Sequence, residues 1–260
     1  MDLKLRTVIL SICIDIEHSL KMKILQNFEI STDNGYDIVQ RFFNCNQFKG
    51  DIVARNIFEK RHSFYIKGLL SKYIKNVDGL NTEHLFLIQN NNSNFYLDIP
   101  IWVLLETLTF GDLINFYDFY YDDIKNYQAL HTCNPPINCN ILHSIKSLRN
   151  ACAHNNCILS NLKDKTSYAP SNVKSFLGKI NVNNSAIRSR MINRTILEIA
   201  CVLYSLYYIV PQKVKTHDIN QFKIVLEEYD KKYKQILCNN TIIDSSFEFL
   251  KKCIDGIEKK

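Results

Sequence analysis

Ser147-Leu148-Arg149-Asn150-Ala151-Cys152-Ala153-His154-Asn155-Asn156 closes a segment that starts just after Pro135-Pro136. A helical residue advances about 100° on its predecessor. That places Ile141, Ile145, Leu148 and Cys152 on one apolar face. His143, Ser147, Asn150 and His154 then line a polar stripe at i, i+4, i+7, i+11 spacing. Arg149 lies between the two faces, about 140° round the helix from His154. Ala151 and Ala153 are small enough to let another helix approach closely. The stretch reads as a core helix with a cation, an amide and an imidazole on its accessible side. Such residues also have ordinary uses: a His near a helix C-terminus complements the dipole, and an Arg there caps carbonyls. No metal-ligand spacing accompanies them.

The rest of the composition agrees with helices. The chain has 260 residues, 46% of them hydrophobic, but only 7 Gly and 5 Pro. This disfavours a turn-rich all-β fold and suits long helices. The net charge of +6 permits a polyanionic partner without requiring one. The nine Cys are odd in number and include no CxxC pair. Residues 1–24 carry charges throughout, unlike a signal peptide. Free, mostly buried thiols in a reducing cytoplasm are expected. No apolar run reaches the roughly 18 residues of a membrane span. The signals for HExxH, P-loop and GxGxxG sites are all missing.

Outward from the quoted stretch, Asp2 to about Phe28 is expected to be a long amphipathic helix. Leu5, Val8, Ile9, Ile12, Ile16 and Leu20 share its apolar face. Glu17 either orients Arg149 across the bundle or is a surface charge, the commoner case. A shorter helix is expected within residues 36–48, and a third over 51–73. In the third, Arg55, Lys60, Arg61 and Lys67 alternate with Phe58, Phe64 and Tyr65. This pattern fits single-stranded RNA or, more often, an ordinary amphipathic helix. Gln89 to Asn94 reads as a polar loop. Pro100 opens the next helix, and Thr109-x-x-Asp112 reads as a capping box for another. Trp102, Phe110, Phe116, Tyr117, Phe119 and Tyr120 form an aromatic core cluster. Asp118, Asp122 and Asp123 read as a solvated acidic turn. Residues 161–187 look like an irregular excursion after the quoted stretch, placed either to lid it or to grip RNA. Arg188 to Ile209 reads as one buried helix stopped by Pro211. Two charged amphipathic helices follow, over 214–237 and 242–257. The organisation expected is a helical core over 1–160, the excursion, and C-terminal helices over 188–260 that complete one domain.

Three stretches carry a resemblance. Leu3-Lys4-Leu5-Arg6 through Asp15-Ile16-Glu17-His18-Ser19-Leu20-Lys21 looks like the first helix of the bacterial Abi (abortive infection) family, of the AbiD/AbiF kind. Pro100-Ile101-Trp102-Val103-Leu104-Leu105-Glu106-Thr107-Leu108-Thr109-Phe110-Gly111-Asp112-Leu113 resembles its PxWxxxExxTFGxL segment. Leu148-Arg149-Asn150-x-Cys152-Ala153-His154-Asn155 matches its LRNxCAH signature, which is also the Arg-x4-His pattern of HEPN-type ribonucleases. The three occur in the family's order across most of residues 1–160. The chain departs from the pattern twice. The family's upstream Tyr- and Arg-rich segment is expected to end near where this sequence starts. Asn156-Cys157-Ile158 replaces an Arg that commonly follows the His, so one phosphate contact is expected to be missing or supplied elsewhere.

The resemblance implies an all-α, HEPN-like bundle with additional C-terminal helices. It also implies a cytoplasmic, metal-independent endoribonuclease with no cofactor, working in phage defence. Arg149, Asn150 and His154 would be catalytic, with His143, Lys146, Arg55 and Arg61 contacting RNA. An imidazole titrates near neutrality and can act as base or acid, and a guanidinium matches phosphate geometry. HEPN enzymes pair two signature helices about a two-fold axis, which implies a homodimer. The alternative is a non-catalytic HEPN-like RNA-binding module regulated by or binding a structured small RNA, such as a noncoding RNA antitoxin. A toxin silenced by a nucleotidyltransferase partner fits less well, because Asn156 stands where that family carries Tyr.

Overall fold

The computed structural model describes residues 1–29, 34–43, 100–127, 134–163, 169–237 and 239–260. Every regular element among them is helical, so the fold class is all-α. The elements are α1 (Asp2–Glu29), α2 (Gly35–Phe43), α3 (Ile101–Thr107), α4 (Phe110–Tyr127) and α5 (Cys139–Ala153). They continue with α6 (Ser171–Lys179), α7 (Asn184–Arg190), α8 (Arg194–Ile209), α9 (Gln212–Glu228) and α10 (Thr241–Glu258). A π turn over Tyr229–Tyr233 extends α9 into a last turn, Lys234–Leu237. The expected third helix over 51–73, with Arg55 and Arg61, and the polar loop at 89–94 lie outside the described residues. The chain divides into two compact units, one of Met1–Lys23 with Pro135–Lys260 and one of Ile24–Asn134.

The first unit is arranged around α8. Its residues from Thr195 through Leu206 are all buried, and a helix that is apolar all round has to be enclosed. α5 packs along α8 through Ile141, Leu142, Ile145 and Leu148. α8 is the larger neighbour, and α1 reaches the C-terminal end of α5 through the side chain of Arg6. α9 and α10 form an antiparallel pair closed by Lys223 Nζ and Glu258 Oε2 at 2.8 Å. Tyr229 stacks on Phe247, 4.0 Å between ring centroids, and donates its hydroxyl to Asp244 Oδ1 at 3.0 Å. α10 meets the end of α6 so closely that a Cβ on Gly256 would lie 2.3 Å from the Ile180 carbonyl oxygen.

Two expectations about this unit are corrected. The excursion over 161–187 is not irregular throughout: it holds a 3-10 turn at Ser160–Lys163, all of α6 and the start of α7. Val173, Phe176, Leu177 and Ile180 follow helical spacing and are buried, a pattern masked by the surrounding Asn, Ser and Lys. Arg188 to Ile209 is not one helix either. α7 ends at Arg190, and the Asn193 side chain accepts from the Ile196 N–H at 2.9 Å, which starts α8 as a new helix.

In the second unit, Phe42 of α2 sits between Phe116 and Phe119 of α4, with centroids 5.1 and 5.2 Å away. The Thr109–Asp112 cap forms: the Asp112 N–H points to Thr109 Oγ1 at 3.4 Å, and that hydroxyl donates to Asp112 Oδ2 at 2.5 Å. Trp102 does not join the buried aromatic cluster. It is 50% exposed and meets Tyr36 edge-on, 6.4 Å between centroids, because α3 is short and its outer face is open.

Candidate functional site

Asn138 begins the signature helix by accepting from the Asn140 N–H at 2.9 Å. The apolar stripe of α5 then fixes its rotation: Ile141, Ile145, Leu148 and Cys152 are buried, as their spacing predicts. Its other end is a Schellman motif. The Asn156 N–H reaches the Ala151 carbonyl at 2.9 Å, and the Asn155 N–H reaches that of Cys152 at 3.3 Å. Asn155 takes the left-handed conformation this requires, with φ 59°. His154 is therefore the C-cap of the helix, and its side chain is held out at the surface.

The polar stripe is accessible along its length. His143 and His154 are exposed, and Lys146, Ser147, Arg149 and Asn150 are half-buried. Arg149 Nη1 donates to Asn150 Oδ1 at 3.3 Å. Arg149 Nε is buried without a hydrogen-bond partner, an arrangement that costs about 1–3 kcal/mol. No carboxylate pairs with Arg149 among the described residues. Glu17 pairs with Lys21 at 3.8 Å instead, so it does not orient Arg149. The Arg149 charge does reach Cys13 of α1, whose thiol pKa is pushed up by burial and pulled back in part by that guanidinium. His154 makes no side-chain hydrogen bond among the described residues.

A brace that the sequence did not reveal surrounds the helix end. Arg6 of α1 donates from Nη1 to Asn155 Oδ1 at 3.0 Å, and its Nε lies 2.7 Å from Asp2 Oδ2. The latter is a charge contact only, because its angle is not that of a hydrogen bond. Asp2 Oδ1 accepts from the Leu159 N–H at 3.0 Å. On the α8 side, Arg194 donates from Nη2 to Ser147 Oγ at 3.2 Å and from Nε to Glu198 Oε1 at 3.0 Å. Only the i, i+4 spacing of Arg194 and Glu198 hinted at that pair; nothing signalled its contact with Ser147. Cys152, between these groups, has its thiol pKa raised to about 11, chiefly by burial and against the lowering effect of Arg6. Its side chain is buried among the apolar residues of this helix end. Among the described residues no set of three or more His, Cys, Asp or Glu converges as a metal site, and no helix is long and apolar enough to cross a membrane.

Chemically, α5 offers a fixed guanidinium, an amide that holds it and an open imidazole on one helix end. Arg55 and Arg61, expected as RNA contacts, lie outside the described residues. A family model described as Abi-like protein matches residues 1–160. No curated protein and no solved structure matches the chain.

Proposed function

The chain belongs to the Abi-like protein family, and from that premise we propose that it is a metal-independent endoribonuclease of an abortive-infection, phage-defence system. The observation that carries this reading is the pairing on α5 of a guanidinium held by Asn150 and an exposed imidazole, the first without a carboxylate partner and the second without a side-chain hydrogen bond among the described residues. RNA cleavage by internal attack needs a base for the 2′-OH, a proton donor for the departing 5′-oxygen, and positive charge beside the phosphorane. His154 takes or gives the proton. Arg149, steadied by Asn150, stabilises the charge on the phosphoryl oxygens. The 2′-oxygen bonds to phosphorus as the 5′-oxygen leaves, yielding a 2′,3′-cyclic phosphate and a 5′-hydroxyl end. His143 and Lys146, farther back on the helix, contact the strand.

Arg149 and His154 lie on different sides of the helix, so one subunit supplies a sparse site. A second copy of α5 across a two-fold axis supplies the complementary acid or base, with Ala151 and Ala153 allowing close approach. The test is cleavage of RNA by purified protein in excess EDTA. Wild type should cut, while Arg149→Ala and His154→Ala should each lose cutting and any growth arrest while keeping their melting temperatures. Normal cutting by either folded variant refutes the assignment, and so does loss of activity on chelation restored by magnesium. RNA binding without cleavage by wild type would make the chain a non-catalytic RNA-binding module.

A further inference from the structure

α8 brings a second guanidinium to the polar stripe of α5. Arg194 is the first residue of α8, and its side chain is 58% exposed. Glu198, one turn on, is itself largely buried and fixes the plane of the group through Nε. Ser147, which accepts from Nη2, stands in the same stripe as His143, Asn150 and His154. A guanidinium has five N–H donors. Two bond described residues, and among the described residues the other three, both N–H groups of Nη1 included, have no partner on this exposed and oriented fork.

Helix stability does not account for this placement. A cation in the first turn opposes the helix dipole, and an i, i+4 ion pair is better with the acid first. Arg194 and Glu198 are the wrong way round on both counts. What the order does achieve is to add a fixed, forked positive group to the positive end of α8, beside α5.

We propose that Arg194, positioned by Glu198 and Ser147, is a phosphodiester-binding residue for the RNA strand, distinct from the site of bond cleavage. This rests on the ribonuclease reading above. Ser147 and His154 are seven residues apart on α5, an axial separation of about 10 Å. Arg194 therefore grips a neighbouring phosphate, while Arg149 and His154 act on the scissile one. The strand runs along the α5 stripe from the His154 end toward Ser147 and His143.

The experiment is a salt titration of RNA affinity, using a short, unstructured, fluorescein-labelled RNA and full-length His154→Ala protein to prevent cutting. Adding Arg194→Gln should weaken binding about tenfold at low salt, as loss of a charge-assisted hydrogen-bond pair does. It should also lower the log–log salt slope by about 0.7, the value for one phosphate contact on a single strand. Arg194→Lys should keep the slope but lose several-fold in affinity, because an ammonium lacks the fork. Glu198→Gln should keep the slope, since the guanidinium is still present. Unchanged affinity and slope in folded Arg194→Gln overturn this proposal alone. If that variant melts early, the Lys variant decides, and affinity equal to the Arg194 protein's overturns it. If the His154→Ala parent and wild type both fail to bind RNA, this proposal and the ribonuclease reading fall together.

Discussion

Arg6 Nη1 donates to Asn155 Oδ1 at 3.0 Å, so the first turns of α1 hold the one left-handed residue that ends α5. That residue directly follows His154. The position of the imidazole therefore depends on a contact between residues 149 apart in sequence.

Substitutions at Asn155 separate its two roles. Asn155→Gly keeps the φ of 59° without strain and removes only the Arg6 contact, so its stability should stay close to wild type. Asn155→Ala should cost about 1–2 kcal/mol, because a Cβ in the left-handed region is strained. Urea unfolding of both variants measures this. Equal destabilisation by Gly and Ala would mean that the Arg6 contact, and not the backbone, holds the turn. Either change should reduce RNA cleavage more than it reduces RNA binding.

A shared site predicts that activity depends on assembly. The protein should elute as a dimer, and specific activity should fall on dilution below the dimer dissociation constant. When wild type is mixed with excess His154→Ala subunits, activity per wild-type chain should drop as mixed dimers form. A constant value, with subunit exchange confirmed by a fluorescence label, would assign the whole reaction to one subunit.

Asp218 gives a pH signature. It is 2% exposed on α9 and faces Asp15 of α1. Burial first, then the Asp15 charge, raise its pKa to about 6 against a partial opposing effect of His217. Between about pH 4 and 6 the folded protein therefore keeps a proton that the unfolded chain has released. The unfolded state binds fewer protons there, so this group's contribution to stability falls as pH rises through that window and levels off above it. Asp218→Asn should raise stability by about 1–2 kcal/mol at pH 7 and leave it nearly unchanged at pH 4. Parallel melting curves of the two proteins from pH 4 to 8 would remove Asp218 as the source.

Gly256→Ala tests the contact of α10 with α6. In an open helix this change would stabilise by up to about 1 kcal/mol. Here the new Cβ would meet a backbone oxygen, which cannot swing aside as a side chain does. A net loss of about 1–3 kcal/mol is expected. A gain in melting temperature would show that the two helices separate easily.

Much of this was legible in the sequence because helical periodicity is a local property. The bounds of α1 and α10 and the buried face of α5 follow from the spacing of Ile, Leu and Cys, and the start of α4 follows from Thr109 and Asp112. What could not be read depends on which helices meet. The spacing of Arg194 and Glu198 says nothing about Ser147 on another element, and Arg6 carries no mark that it reaches Asn155. For Glu17 the spacing left two readings, a partner for Arg149 or an ordinary charge, and it is the commoner one that holds: its ion pair is with Lys21, one turn away. The break at Asn193 was visible in principle, since an Asn before Arg-Thr-Ile is an ordinary helix start. The run of apolar residues after it hid that signal. Trp102 misled because its residue type suggests burial, whereas a seven-residue helix has too little inner face to take it.

The first unit draws on residues 1–23 and then on nothing until 135. On a ribosome that adds about 5–20 residues per second, α1 leaves the exit tunnel well before α5 or α8 exists. Asp2 and Arg6 must wait several seconds for Leu159 and Asn155. A truncated chain, or one still being made, lacks the brace around His154 and the buried axis of α8 together. The first unit therefore cannot close until residues beyond 135 have been made, and its N-terminal helix spends that interval without its partners.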